Sequence, residues 1–360
     1  MDATTDPSSA TRTITLLDDA VTEVAVAVDG EQVVLAPADL AAVLGWELEP
    51  EGLCRGDVCV PVRDRSLVEP AGEGNGVSLH GVAAALDRPL VVDLDAGVAA
   101  IGPGRSSRRQ ALAGGPLPEL ALPDVDGQIV DLASLQGRKA ILVAFATWCG
   151  CRDDLPGWQA LQDDLGDDVA VVAVALDEDA EDVRPFAEPV TLPVLVDRDH
   201  VVSDRLGISN VPAVVWVDED GCVARPPTVA FGTDKWTEYT GVPSGPHLDA
   251  VRRWVRDGQV PEGRANAAAG GSGTEVGDLS EDQEAARLWF RIATHLRRQG
   301  RDDEAAERFA RAAELAPVDF TVARAAMPLT GRDPFGPDFF ELYRRWREAG
   351  APFHGLDPDR

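Results

Sequence analysis

The sequence predicts an α/β protein: a central sheet flanked by helices, preceded by a small N-terminal α+β domain and followed by a helical segment. Three observations predict it. First, an apolar run from Ala140 to Ala146 reads as a strand buried on both faces. It breaks off at Thr147-Trp148-Cys149-Gly150-Cys151, and a helix with Pro156 in its first turns takes over. Second, between residues 169 and 257 apolar runs alternate with amphipathic stretches, the order that gives strands joined by crossover helices. Third, beyond residue 280 the apolar residues recur at helical spacing.

A chain of 360 residues has room for two or three domains. The expected division is an α+β domain over 12–101, a linker over 102–115, the α/β domain over 116–260, a linker over 261–279 and helices over 280–360. In the first domain "LAPADLAAVLGWELEPEGLCRGDVCVPV" and "VSLHGVAAALDRPLVVDLDAGVAAIG" each run a short Ala/Leu-rich helix into alternating strands, a weak internal repeat. Cys54 and Cys59 flank a hairpin turn, Arg55-Gly56-Asp57-Val58. That spacing allows a disulfide across the hairpin and equally allows two half-buried thiols on adjacent strands. Residues 102–115 are rich in Gly, Ser, Arg and Pro, a linker composition. Their Arg105, Arg108 and Arg109 are expected to lie on an acidic face of the same protein.

In the α/β domain, strands are expected over 169–176, 194–197 and 213–218, with helices over 182–188 and 248–257, the last stopping at Gly258. Asp218-Glu219-Asp220-Gly221 turns the chain into Cys222, expected as a buried strand thiol. Residues 225–246 hold Phe231, Trp236 and Tyr239. These aromatics either line a substrate cleft or cover an apolar sheet edge, and edge cover is the expectation. From Ala286 to Asp319 the residues Trp289, Ala293, Ala305, Phe309, Ala312 and Pro317 fit one tetratricopeptide repeat. One repeat cannot bury its face alone, so a docked helical pair is expected and not a peptide-binding array. Phe339, Phe340, Tyr343 and Trp346 on a final amphipathic helix are expected to cap that pair.

The formal charge of −29 argues against binding to nucleic acid or to an anionic membrane. Lys139 and Lys235 are the only lysines, so the basic residues are nearly all arginine. The first residues, Met1 to Asp6, lack the basic and apolar regions of a signal peptide, and no run approaches the ~20 apolar residues of a membrane span. A cytoplasmic location is therefore expected. There the five cysteines would be reactive or plain thiols more often than structural bridges.

Cys149 and Cys151 stand where a strand hands over to a helix start, and free N–H groups at such a start favour the reactive thiolate. Here "PDVDGQIVDLASLQGRKAILVAFATWCGCRDDLPGWQAL" and, some sixty residues on, "LGISNVPAVVWVDEDG" resemble the thioredoxin superfamily, in its TlpA/ResA-like redoxin branch. The resemblance covers about 116–258. It implies a thioredoxin-like sheet and a thiol–disulfide oxidoreductase. Cys149 would attack, Cys151 would resolve, and Pro212 would be the cis-proline facing them. Trp148 would pack over the site, and the substrate would be a protein or small-molecule thiol or disulfide. No cofactor and no metal are implied.

Two departures from the family pattern stand out. Only Gly150 separates the cysteines where relatives have two residues, and Gly150 is expected to give the shortened turn its backbone freedom. The position six residues before the first cysteine, a carboxylate or amide in relatives, is Val143, so the proton acceptor for the second thiol is expected to be missing. Other readings remain. One is a thioredoxin-fold scaffold without redox chemistry. A peroxidase would need Thr or Ser three residues before its cysteine and Pro seven before, and neither register fits. A metal site would join Cys149 and Cys151 to Cys54 and Cys59, or to His200.

Overall fold

In the computed structural model, which describes residues 10–69 and 76–357, alternating apolar residues at the N-terminus build a sheet before any helix forms. The elements of this first unit are β1 (Ala10–Leu17), β2 (Val21–Asp29), β3 (Gln32–Leu35), α1 (Pro37–Leu44), β4 (Glu47–Glu49), β5 (Gly52–Arg55), β6 (Val58–Val60), β7 (Val77–Ser78), α2 (Leu79–Ala85), β8 (Leu90–Asp93) and β9 (Val98–Ile101). Ile14 and Leu16 of β1, and Val24 and Val26 of β2, point to one face and are buried with Leu40, Leu79 and Val82 of the two helices. The sheet order is β7-β3-β2-β1-β9-β8, with β1 antiparallel to β2 and parallel to β9.

The internal repeat corresponds to helix-then-hairpin twice over. The second hairpin, β8–β9, joins the main sheet, while β4-β5-β6 form a separate three-stranded sheet. In that small sheet Cys54 lies directly opposite Cys59. The two are bonded as a disulfide with their Cα atoms 4.1 Å apart. Residues 287–308 also belong to this unit. There Arg308 donates to the buried Asp93 carboxylate at 2.7 Å.

The second unit takes residues 106–286 and the chain from 309 onward. The expected linker over 102–115 contains a helix, α3 (Arg105–Leu112). Composition misled there because the helix is held by distant partners. The buried Arg108 guanidinium donates to Asp278 at 2.7 Å and to Glu284 at 2.6 Å, and Arg109 reaches Asp278 at 3.0 Å. These arginines do meet an acidic face of the same protein.

An opening hairpin follows, β10 (Ala121–Pro123) and β11 (Ile129–Asp131). Then come β12 (Lys139–Phe145), α4 (Leu155–Leu165), β13 (Val169–Ala175), α5 (Ala180–Ala187), β14 (Val194–Val196), α6 (Val201–Leu206), β15 (Ala213–Val217), β16 (Val223–Thr228), α7 (Thr237–Thr240) and α8 (Ser244–Asp257). The sheet order is β14-β13-β12-β15-β16. β12, β13 and β14 run parallel, and β15 and β16 are each antiparallel to their neighbours. All seven residues of β13 are buried, as continuous apolar runs in a sheet covered on both faces should be. This is the thioredoxin-like sheet that the resemblance implies. Trp216 of β15 stacks on Trp254 of α8 at 5.0 Å between ring centroids. His247 sits edge-on to Trp158 and Trp216, and burial drives its pKa down to about 3.

The last helices are α9 (Glu281–Arg298), α10 (Asp302–Leu315), α11 (Phe320–Ala323), α12 (Ala326–Leu329) and α13 (Pro337–Glu348). The segment from residue 320 docks on the thioredoxin-like domain. Phe320 N–H donates to Ser209 O at 2.9 Å, and Leu356 N–H donates to Pro227 O at 2.7 Å. The expected linker over 261–279 is tied in as well, through Arg225 to Pro261 O at 2.9 Å and a bridge between Ala265 and Leu356. The α13 aromatics do more than cap a helical pair. Phe339, Tyr343 and Trp346 pack against Phe320, Met327 and Leu342, and they also face the cysteines. Among the described residues no helix is long and apolar enough to cross a membrane.

Candidate active site

The site begins at the end of β12, where Thr147 is fixed from three directions. Its N–H donates to the Asp177 carboxylate at 2.9 Å, its hydroxyl donates to the same carboxylate, and its carbonyl accepts from Arg152 at 2.8 Å. Trp148 is buried beside it, with Nε1 donating to Leu176 O at 2.9 Å. The chain then enters a 3₁₀ turn, Gly150–Asp154, which leads into α4. Cys149 caps this turn. Its Sγ accepts from the Cys151 N–H at 3.3 Å and lies 3.4 Å from the Val211 carbonyl oxygen. The Val211–Pro212 peptide is cis, and Pro212 lines the same cavity as both cysteines. The four residues singled out by sequence, Cys149, Cys151, Pro212 and Trp148, are thus brought together, and both thiols are free.

Several expectations change at this point. Gly150 does not have a positive φ, so backbone freedom is not its role. A Cβ there would come within 2.8 Å of the Trp236 ring, whose Nε1 donates to Gly150 O at 2.8 Å. Gly150 is the space the indole occupies. The aromatic segment after β16, expected as an edge cover, lines a cleft: Phe231, Trp236 and Tyr239 border the same cavity as the cysteines. It is fastened to the cysteine turn at successive points. Thr233 N–H donates to Asp154 at 3.0 Å and Lys235 to Asp153 at 2.7 Å, in addition to the Trp236 bond. Its backbone approaches α4 so closely that a Cβ on Gly157 would meet Gly232 O at 2.0 Å. Cys222 is half-buried at the start of β16 and does not line the cavity. His200 caps α6, away from the cavity lining. Among the described residues no group of three or more His, Cys, Asp or Glu could hold a metal ion.

Two charged residues at the site escaped sequence reasoning. Arg324, between α11 and α12, is buried against Trp148, its guanidinium carbon 5.9 Å from that ring, 5.2 Å from Phe335 and 3.8 Å from Phe339. Asp154, three residues after Cys151, is buried, and burial outweighs its Thr233 hydrogen bonds to raise its pKa to about 6. Its Oδ2 has no hydrogen-bond partner among the described residues. Asp154 was visible in the motif as an acid in a turn, whereas nothing in the sequence pattern marked Arg324.

These groups split the two thiols. Burial alone pushes the Cys149 thiol up. The hydrogen bond from Cys151 and the positive charge of Arg324 overcome it, so the net shift is downward. Cys151 moves well upward, first by burial and then by its bond to Cys149. One sulfur is set up as a thiolate and its neighbour as a thiol. Above them opens a cavity of about 640 Å³ walled by residues 229–242 and 320–357.

Comparison with known proteins finds matches over the segment that carries the two cysteines. Residues 112–239 match the Redoxin family. The chain is 31% identical over 112 residues to the thioredoxin-like protein YneN of Bacillus subtilis, a match covering 29% of this chain and 65% of that protein. It is 25% identical over 124 residues to the thiol-disulfide oxidoreductase ResA of Halalkalibacterium halodurans, covering 33% and 70%. A secreted Mycobacterium tuberculosis disulfide oxidoreductase of known structure shares 26% identity over 29% of this chain and 81% of its own, with a TM-score of 0.28. The YneN match spans just under two thirds of that relative's length. Residues 112–239 are similar to the redoxin domains of thiol–disulfide oxidoreductases, and the second wall of the cavity comes from chain beyond them.

Proposed function

We propose that this protein is a thiol–disulfide oxidoreductase working through a Cys-Gly-Cys site, with Cys149 attacking and Cys151 resolving. The observation that carries the reading is the opposite displacement of two adjacent thiols, Cys149 toward thiolate and Cys151 toward thiol, in a turn facing a cis-proline. The Cys149 thiolate attacks one sulfur of a substrate disulfide. A mixed disulfide forms and the other substrate sulfur leaves as thiolate. Cys151 then gives up its proton, attacks the Cys149 sulfur, and releases the second substrate thiolate. The substrate gains two electrons and the enzyme is left as the Cys149–Cys151 disulfide. Asp154, with its vacant Oδ2, accepts the Cys151 proton and takes over the task that Val143 cannot perform. A second dithiol restores the enzyme.

A depressed Cys149 pKa stabilises the reduced form, and a one-residue spacer makes for a tight ring in the oxidised form. Both shift the couple toward an oxidising, easily reduced pair. The cytoplasmic location stays a proposal drawn from the sequence. The Cys54–Cys59 bond pulls the other way, since cytosolic thiols are ordinarily kept reduced.

The test is disulfide mapping by peptide mass spectrometry after equilibration in graded glutathione buffers. A Cys149–Cys151 link with a midpoint above that of thioredoxin, about −270 mV, is the expected result. If both cysteines stay free at every poise, or react no faster than Cys222, the domain is a redox-inactive scaffold instead.

A further inference from the structure

We propose that the cavity above Cys149 binds a low-molecular-weight disulfide carrying aromatic groups, so that the substrate is a small molecule and not a folded protein. This deepens the reading of the Cys-Gly-Cys site and rests on it.

The first argument is access. Cys149 is only 6% exposed and Cys151 2%. Cys149 lines a cavity of about 640 Å³, within the ~300–1,000 Å³ of small-molecule sites. A nearly buried sulfur in a space of that size favours a slender molecule over a disulfide held on the convex surface of a folded protein.

The second argument is the chemistry of the walls. One wall carries Trp236 and Tyr239 from the segment after β16, and the other carries Phe335, Phe340, Tyr343 and Trp346 from the C-terminal segment. The walls approach each other at Tyr239 and Tyr343, whose ring centroids are 5.9 Å apart. Rings outnumber the alkyl side chains, Val211, Val229 and Val242 among them, in the lining, a surface suited to flat π-systems through stacked and edge-on contact. At the rim Tyr239 is 55% and Phe340 52% exposed, two large rings turned to solvent beside an apolar cavity. The charged groups of the lining that can orient a guest are Arg324, Arg347 and Asp357.

The reaction is the one described above. Thiolate attack on Ar–S–S–Ar gives Cys149–S–S–Ar and one aryl thiolate. Cys151 then releases the second, and an external dithiol re-reduces the protein.

The test uses the full chain with dithiothreitol as the reductant and three substrates: bis(4-carboxyphenyl) disulfide, bis(2-hydroxyethyl) disulfide and insulin. The wild type is expected to saturate with the aromatic disulfide. Its selectivity for that probe over the hydroxyethyl probe is expected to fall at least tenfold in Tyr239→Ala and Phe340→Ala. Both side chains are half-exposed, so neither change empties the core. The uncleavable thioether bis(4-carboxyphenyl) sulfide should inhibit competitively, more weakly in both variants. A selectivity ratio unchanged by the two substitutions overturns the proposed substrate class while leaving the oxidoreductase reading intact. So does insulin reduction as efficient as that of the aromatic probe. If the wild type cleaves none of the three, both readings fall together.

Discussion

Two cysteine pairs in this chain meet in opposite ways. Cys54 and Cys59 stand directly opposite on neighbouring strands, where the register alone brings the sulfurs side by side, and they are bonded. Cys54 is buried and Cys59 exposed, and that difference does not keep them from bonding. Cys149 and Cys151 share one turn with a single glycine between them, and they are free. Their surroundings set them apart: Arg324 and a hydrogen bond from Cys151 lower one thiol, while burial and the same bond raise the other. A bridge needs only that two sulfurs be near each other. A redox couple needs them to differ in readiness to lose a proton, and here that difference comes from burial, from the bond between the two and from Arg324.

The strongest way to break this comparison is to remove sulfurs one at a time. Cys149→Ser is expected to lower turnover of bis(2-hydroxyethyl) disulfide on the order of 10³-fold or more, because the nucleophile is gone. Cys54→Ser and Cys59→Ser are expected to stay within about twofold of wild type. Loss of turnover in the latter two would join the pairs into one relay. Asp154→Asn comes next. With a pKa of about 6, Asp154 becomes a proton acceptor as pH rises through that value, so resolution of the mixed disulfide should accelerate across the same range. The variant should slow resolution by about 10²-fold, flatten that inflection, and let the mixed disulfide accumulate in acid-quenched mass spectra.

Arg324→Met should raise the Cys149 pKa, read as thiolate absorbance at 240 nm, and slow the first attack near neutral pH by roughly tenfold. The lost contribution is the positive charge that favours the thiolate. Arg324→Lys should recover most of it, which a packing defect would not allow. The smallest effect is thermodynamic. Opening the short Cys54–Cys59 loop should cost about 2 kcal/mol in denaturant unfolding of its own unit, with disulfide turnover unaffected.

How much of this was legible in the sequence follows the same division between motif and surroundings. β12, β13 and the cis-proline segment were readable because their signals are local: unbroken apolar runs, a helix start, a proline after Val211. The two cysteines and Trp148 followed from those landmarks. Arg324 was not readable. It is one of many arginines, and its task depends on a fold that returns residue 324 to residue 149. Phe231, Trp236 and the α13 rings were seen as aromatic, yet the sequence could not say which surface they would face. Gly150 was noticed for the wrong property, since its missing side chain matters only once Trp236 is in place. The helix over Arg105–Leu112 was hidden by its composition, and the acids that hold it lie far along the chain.

The close approach of Gly157 to Gly232 ties two elements together. Gly157 belongs to α4 and Gly232 to the segment after β16, and both lie within the redoxin match. A side chain at Gly157 would strike Gly232 O, and one at Gly232 would come within 2.6 Å of Asp154 O. A side chain at either position would have to push backbone on the opposite element, so α4 and the segment after β16 act mechanically as one piece.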